Sequence, residues 1–205
     1  MKNKIIKDAL ALTLITLVAG VALGGVYEIT KDPIARQEAQ AKAEAYEQVF
    51  TDAAAFEEIE MDDTLIQTIR DQLDQEGYKA QSIEEIMRAE DQSGEMLGYA
   101  FTVVTSEGYG GDIQFSMGVQ NDGTLNGISI LSIGETAGLG MNADTPAFKD
   151  QFVGKQVEQL QYTKNGATQD DEINAISGAT VTTNAMTNGV NAGLCAFRVM
   201  EGGDQ

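Results

Sequence analysis

Residues 112–120 have the sequence DIQFSMGVQ, in which apolar and polar side chains alternate. A period of two predicts a β-strand with one apolar face, because successive side chains of a strand point to opposite sides. The Asn121-Asp122-Gly123 sequence that follows is typical of a hairpin turn, and residues 128–133 then predict a return strand. Leu131 interrupts the alternation of that strand and predicts a β-bulge.

The flanking segments extend this hairpin into an α+β fold. Residues 99–105 predict a strand before it, which gives a three-stranded antiparallel meander. Ser82 and Glu85 resemble a capping box, and residues 83–89 predict a short helix or a strand. Residues 156–162 predict a further strand. Apolar periodicity and end signals predict helices over 33–50, 64–75, 147–152 and 183–200. We therefore expect an antiparallel sheet with packed helices.

Two of these helices carry additional signals. The first is expected to begin at Asp32-Pro33, because Asp can cap a helix and Pro suits its first position. The last carries small residues that would let its backbone lie close to a sheet. They are Ala185, Gly189, Ala192, Gly193 and Ala196.

The N-terminus predicts a single transmembrane helix. Residues 9–26 carry no charge, and a bilayer core requires about 20 mostly apolar residues. Because Lys2, Lys4 and Lys7 precede this stretch, we expect residues 1–8 in the cytoplasm, 9–27 in the membrane and 28–205 as an extracytoplasmic domain. A cleaved signal peptide is the alternative, but residues 21–25 form only a weak cleavage site and the apolar run is long for that class. We favour the uncleaved, single-pass anchor in the cell membrane.

Composition excludes several classes of function. The chain has 13 Lys and Arg against 32 Asp and Glu, and a net charge of −19 disfavours binding to nucleic acid. Without histidine, and with Cys195 as the one cysteine, the chain lacks His-ligated metal sites, internal disulfides and four-Cys iron–sulfur sites. We predict no metal site and no catalytic residue, and any redox chemistry must come from an organic cofactor.

The sequence Ser177-Gly178-Ala179-Thr180 lies just before the last predicted helix. The first N–H groups of a helix have no intrahelical partner and attract an anion such as a phosphate. Gly178 permits close approach of the backbone to such a group. The alternative is a helix cap without a ligand, since Ser, Thr and Gly are common at helix starts.

Three sequence elements indicate a known family. Residues 174–183, NAISGATVTT, resemble the flavinylation motif of the FMN-binding domain family, with Asn174 where the family usually has Asp. Residues 135–140, ETAGLG, resemble its E-T-P-G-L-G loop, with Ala137 in place of Pro. Residues 108–111, GYGG, resemble its turn before an alternating strand. These three elements, in this order and after a single transmembrane helix, resemble those of the G subunits of Rnf-type ion-translocating ferredoxin:NAD oxidoreductases.

The resemblance implies a cofactor and a site. A flavin transferase would attach FMN through its phosphate to the Thr180 hydroxyl, as a phosphoester. The other cofactor-binding residues implied are Ser177, Gly178, Ala179, Thr182, Thr183, Glu135, Thr136, Gly138, Leu139 and Gly140.

The resemblance also implies a role in a larger assembly. The chain would be an electron-transfer subunit, bound to other membrane subunits of an Rnf-type complex that couples ferredoxin:NAD electron transfer to translocation of Na⁺ or H⁺. No complete active site is expected on this chain. The alternatives are a C-type subunit of a Na⁺-translocating NADH:quinone oxidoreductase and a membrane-anchored binding or scaffold protein without a cofactor.

Overall fold

A computed structural model describes residues 2–203. Met1, in the predicted cytoplasmic segment, and Asp204 and Gln205, at the end of the predicted 28–205 domain, lie outside the described residues. The chain divides into two compact units, Met1–Ala41 and Lys42–Gln205. The first is part of helix α1, Lys2–Val49, which is long and apolar enough to cross a membrane once.

The predicted helix start at Asp32-Pro33 is wrong, because α1 continues through Pro33 without a break. An interior Pro removes one backbone hydrogen bond and costs roughly 3 kcal/mol. Ending one helix and starting another would leave about four carbonyls and four N–H groups without intrahelical partners. Continuing the helix therefore preserves more hydrogen bonds than interrupting it.

The main sheet of the second unit is an antiparallel meander in the order β1-β2-β3-β4-β5. Its strands are Ala55–Glu58, Gln81–Glu90, Met96–Thr105, Ile113–Gln120 and Leu125–Ile133. The three predicted strands are confirmed, but the meander has five strands, and residues 82–89 belong to a strand and not to a helix. The predicted bulge is confirmed: Gln114 faces Ser132 and Phe115 faces Ile130, which leaves Leu131 without a partner position.

Helix α4, Thr180–Gly203, packs on one face of this sheet. It is longer than predicted and begins at Thr180, three residues before the expected start. The small-residue face acts as predicted: an added Cβ at Gly193 would overlap Met117 Sδ, and one at Gly189 would lie 2.8 Å from the Phe115 ring. The other face of the sheet is covered by Tyr46 and Val49 at the end of α1 and by Phe50 directly after it, all of which are buried.

The remaining elements are short, except α2, Asp63–Glu76. Its predicted end is confirmed, with Gly77 in the left-handed conformation (φ 92°). Helix α3 covers only Pro146–Lys149, between 3-10 turns at Gly140–Asp144 and Asp150–Phe152. The strand expected over 156–162 is a three-residue strand, β6, Gln161–Thr163, paired in parallel with β7, Glu172–Asn174.

Cys195 is fully buried on α4. Burial raises the pKa of its thiol to about 12, and the nearby Glu76 carboxylate contributes in the same direction. A buried thiol held in its neutral form is inert.

Candidate functional site

The start of α4, the loop after β5 and the turn before β4 together form an open cavity of about 420 Å³. Eight predicted site residues line it: Glu135, Thr136, Leu139, Gly140, Gly178, Ala179, Thr180 and Thr182. Tyr109 and Val181 complete the wall. Three predicted residues, Ser177, Gly138 and Thr183, are not in this lining. The structure thus brings together segments that are about 25 to 70 residues apart in sequence.

A tight turn precedes α4 and fixes where the helix begins. The Ala179 N–H donates to the Ile176 carbonyl oxygen at 3.1 Å, and Gly178 has φ +75°. A turn of this kind places a left-handed residue at its third position, where Gly has no steric penalty. An added Cβ on Gly178 would also lie only 3.0 Å from Leu139 Cδ2, so this glycine allows the turn to approach the facing loop.

Thr180 is the first residue of α4 and is half-buried in the cavity wall. Its hydroxyl has no hydrogen-bond partner among residues 2–203. The first intrahelical bond of this end runs from the Thr183 N–H to the Ala179 carbonyl, so the N–H groups of residues 180–182 have no acceptor within the helix. An accessible hydroxyl therefore lies beside the positive end of a 24-residue helix.

Thr182 and Thr183 differ although both are buried. The Thr183 hydroxyl already makes two hydrogen bonds within the fold: it accepts one from the Ile176 N–H at 3.0 Å and donates one to the Ala179 carbonyl oxygen at 2.8 Å. The Thr182 hydroxyl lies in the cavity wall beside Gly140, where an added Cβ would be 2.6 Å away. Of these two neighbours of Thr180, Thr182 is therefore the one whose hydroxyl lies at the cavity.

Glu135 connects two walls of the cavity. Its side chain is buried, and Oε1 accepts from the Tyr109 N–H at 2.7 Å. This bond holds the 108–111 turn against the loop that follows β5. Gly110 allows the same approach, because an added Cβ would overlap the Gly134 carbonyl, and Gly140 leaves space for the Glu135 carboxylate, whose Oε2 would be 2.5 Å from an added Cβ.

Glu107 was not identified from the sequence, yet it fixes the same turn to α4. Its Oε2 accepts from the side-chain amides of Gln81 at 3.0 Å, Asn188 at 2.7 Å and Asn184 at 3.4 Å. The signal in the sequence was the pair Asn184 and Asn188, which are four residues apart and lie on one face of a helix.

The lining of the cavity is mainly neutral. Glu135 is its one charged residue, and none of the lining residues is Lys or Arg. The described part of the chain beyond residue 41 exposes only four large apolar side chains, and three of them, Tyr109, Leu139 and Val181, line this cavity. The site thus combines an apolar rim with a helix N-terminus at its base.

Asn174, which precedes the turn, makes specific contacts. Its Nδ2 donates to Gln151 Oε1 at 3.0 Å, and its Oδ1 accepts from the Ala167 N–H at 2.8 Å. The side chain therefore holds the segment before the Ser177–Thr180 turn against two neighbouring loops.

An α+β domain with an open cavity of this size at the start of a small-residue helix is of the class that can hold a small molecule. Residues 108–194 match the model of the FMN-binding domain, and residues 1–49 match that of the RnfG N-terminal region. The chain belongs to the family of G subunits of ion-translocating oxidoreductase complexes, in which the FMN-binding domain follows an RnfG-type N-terminal region.

Two relatives cover nearly the whole chain. The G subunit of the Na⁺-translocating ferredoxin:NAD⁺ oxidoreductase complex of Acetobacterium woodii is 31% identical over 95% of this chain and 92% of its own length. The G subunit of the proton-translocating ferredoxin:NAD⁺ oxidoreductase complex of Clostridium ljungdahlii is 27% identical over 98% and 96%. Among solved structures, Shewanella oneidensis NqrC aligns with a TM-score of 0.48 at 20% identity, over 58% of this chain and 61% of that one.

Proposed function

We propose that this chain carries FMN, joined through its phosphate to the Thr180 hydroxyl, and transfers electrons within a membrane complex of the Rnf type. The observation that carries the proposal is the position of Thr180: its hydroxyl is free of hydrogen bonds to the described residues and lies in a cavity wall at the start of α4. Family membership supports FMN as the cofactor.

The residues present fit the two ends of FMN. The N–H groups of residues 180–182 would donate hydrogen bonds to the phosphate oxygens, as helix N-termini commonly do. The exposed apolar side chains Tyr109, Leu139 and Val181 would contact the flat faces of the flavin ring system. A cavity of about 420 Å³ lies within the usual range for small-molecule sites, which is roughly 300–1,000 Å³.

The charge of the site supports a covalent link. A phosphate held without a bond would rely on helix N–H groups alone, because no cation lines the cavity and Glu135 adds a negative charge. Because the chain has a net charge of −19, it would hold a noncovalently bound phosphate only weakly. A phosphoester to Thr180 removes dissociation altogether.

Bound flavin supplies one- and two-electron chemistry that the polypeptide lacks. The chain's own residues attach, orient and enclose the cofactor. Thr180 is the attachment point, Gly178 and Gly140 keep the cavity open, and Glu135 holds the Tyr109 turn against the opposite loop. None of these residues has to transfer a proton or act as a nucleophile during turnover.

We infer that the domain lies on the extracytoplasmic side of the cell membrane, because Lys2, Lys4 and Lys7 precede the apolar stretch of α1. The partners would be other membrane subunits, with sodium or protons as the translocated ion, as the names of the two relatives state for their own complexes. A flavin transferase would carry out maturation. The near-complete coverage of both G-type relatives favours this assignment over a C-type quinone reductase subunit.

The direct test is the intact mass of the chain after co-expression with a flavin transferase, alongside the chain expressed without it. We expect the mass to increase by that of FMN minus one water, because the phosphoester forms with overall loss of water, and we expect flavin fluorescence that survives denaturation. A colourless chain of unmodified mass would support the cofactor-free scaffold instead. Asn174→Asp, which restores the residue usual in the family, should leave the modified fraction equal or higher.

Membership of a complex needs a separate experiment. Detergent extraction followed by pull-down of this chain should recover other membrane subunits with flavin and iron–sulfur content. Recovery of the flavinylated chain alone, under conditions that keep such complexes intact, would contradict this part of the proposal without affecting the cofactor assignment.

A further inference from the structure

A second concave region lies between α2 and the start of β2 and has a volume of about 450 Å³. We call it the α2–β2 groove, and its walls include Ile66, Arg70 and Leu73 of α2 and Lys79, Ser82 and Ile83 around the start of β2. Leu73 and Ile83 are buried at its floor, whereas Arg70 and Lys79 are exposed. Asp74 is also exposed in this lining, so the groove is apolar at its base and carries two cations and one carboxylate at its rim.

The excess of cations at this rim is unusual for this chain. From residue 42 onward there are eight Lys and Arg. Four of them pair with carboxylates, namely Lys42, Arg88, Lys149 and Arg198. Lys155 donates to the Asp170 carbonyl oxygen. Within the described residues this leaves Arg70, Lys79 and Lys164 without an ion pair or hydrogen bond, and two of these three line the groove.

The groove lies close to the cofactor cavity along the chain. Ser106 lines the groove and Tyr109 lines the cavity, so their Cα atoms are separated by at most about 11 Å, three steps of roughly 3.8 Å. Gln81, also in the groove wall, donates to Glu107, which begins the turn that carries Tyr109. The Ser106 end of the groove therefore lies beside one wall of the cavity.

We propose that the α2–β2 groove docks an apolar segment that bears at least one carboxylate and belongs to a neighbouring subunit of the complex. The apolar floor requires apolar side chains, and the two unpaired cations complement carboxylates. With two cations against one carboxylate, the rim has the opposite sign to the chain as a whole, whose net charge of −19 repels acidic partners. The volume admits a few side chains rather than a domain. This proposal rests on the proposed membership of a complex.

The first test uses charge reversal in the assembled, detergent-solubilised complex. Arg70→Glu and Lys79→Glu should each lower the amount of this chain retained on a tagged neighbouring subunit by about tenfold at physiological salt, because rim charges control association. Lys164→Glu is the matched control and should retain wild-type amounts. Equal retention of all three variants would overturn the proposal.

The second test identifies the occupant. A photo-crosslinking amino acid at Ser82, which is exposed in the groove, should join this chain to a peptide of another subunit that contains Asp or Glu. The same probe at Ser93, in the hairpin between β2 and β3, is the control and should not yield that product. Products with lipid, a small molecule or a second copy of this chain, or no product, would overturn the proposal.

Flavin content separates the two proposals. Each groove variant should keep full flavin fluorescence on a denaturing gel, since Arg70, Lys79 and Ser82 lie outside the cofactor cavity. Absence of covalent flavin from the wild-type chain would count against the proposed function. Normal flavin content in the groove variants, together with wild-type retention on the neighbouring subunit, would count only against the proposed role of the groove.

Discussion

Replacing Thr180 with Val separates the attachment chemistry from the stability of the fold. The Thr180 hydroxyl makes no hydrogen bond to the described residues, and Ala179, not Thr180, provides the carbonyl that caps the first turn of α4. The substitution removes the one oxygen able to form the phosphoester and keeps a β-branched shape. We expect the free energy of unfolding to change by less than about 0.5 kcal/mol, as at other sites without special contacts.

The assay is co-expression with a flavin transferase, followed by in-gel fluorescence, intact mass and urea unfolding. Thr180→Val should fold normally and carry no covalent flavin. Thr182→Val is the matched control, because its hydroxyl lies in the same cavity wall, and it should keep the flavin.

Thr183→Val provides a second contrast. This change removes both hydrogen bonds of the Thr183 hydroxyl and leaves the Ile176 N–H buried without a partner. It should lower the free energy of unfolding by about 1–3 kcal/mol while the folded fraction retains covalent flavin. If Thr180→Val keeps full fluorescence after denaturation, the assignment of the attachment site is wrong, and Thr182 is the next residue to test.

Three other predictions follow from the same structure. Gly140→Ala should lower the free energy of unfolding by about 1–3 kcal/mol and should also reduce flavin loading, because an added Cβ would lie 2.5 Å from Glu135 Oε2. Urea unfolding and flavin loading equal to those of the wild-type chain would refute the close packing. Burial alone would raise the pKa of Glu76, but hydrogen bonds from Gln72 and Arg198 and the charge of Arg198 lower it below 4.5. The ionised Glu76 therefore stabilises the fold above pH 4.5, and this contribution should be lost as the pH falls further. In acid unfolding curves, Glu76→Gln should lose less stability over this pH range than the wild-type chain. A reporter fused after Gln205 should be active outside the cytoplasm, and activity confined to the cytoplasm would reverse the predicted topology.

The sequence predicted those parts of the fold in which a single local signal decides the structure. Alternation over 112–120, the hairpin turn at 121–123 and the irregularity at Leu131 depend on neighbouring residues only, and all three are confirmed. The small-residue face of α4 is also a local pattern, and the packing of Gly189 and Gly193 on the sheet follows directly from it.

Other parts depend on contacts that are distant in sequence. Strand β2 carries a capping-box pattern at Ser82 and Glu85 that suits a helix, and only pairing with β3 decides for a strand. Pro33 is a common helix start, but the helix on both sides of it overrides that preference. Three-residue strands such as β6 exist only through their partner.

The candidate site shows the same division. The motif residues around Thr180 and Glu135 could be named from the sequence through a family resemblance. Which hydroxyl lies in the cavity wall could not, because Thr182 and Thr183 are adjacent and chemically identical, and only the turn at Ile176 distinguishes them. The role of Glu107 could not be predicted either, because its three amide donors come from β2 and α4, which are distant from it in sequence.

The state of Cys195 makes this chain convenient for spectroscopic labelling. It is the one thiol of the sequence, it is buried, and its pKa of about 12 keeps it protonated at neutral pH. Maleimide and methanethiosulfonate reagents react with accessible thiolates, so the folded wild-type chain should remain unmodified by them. A cysteine introduced at an exposed position such as Ser93 or Lys164 would then be the unique attachment point within this chain for a spin label or fluorophore, without first removing a native residue of the chain.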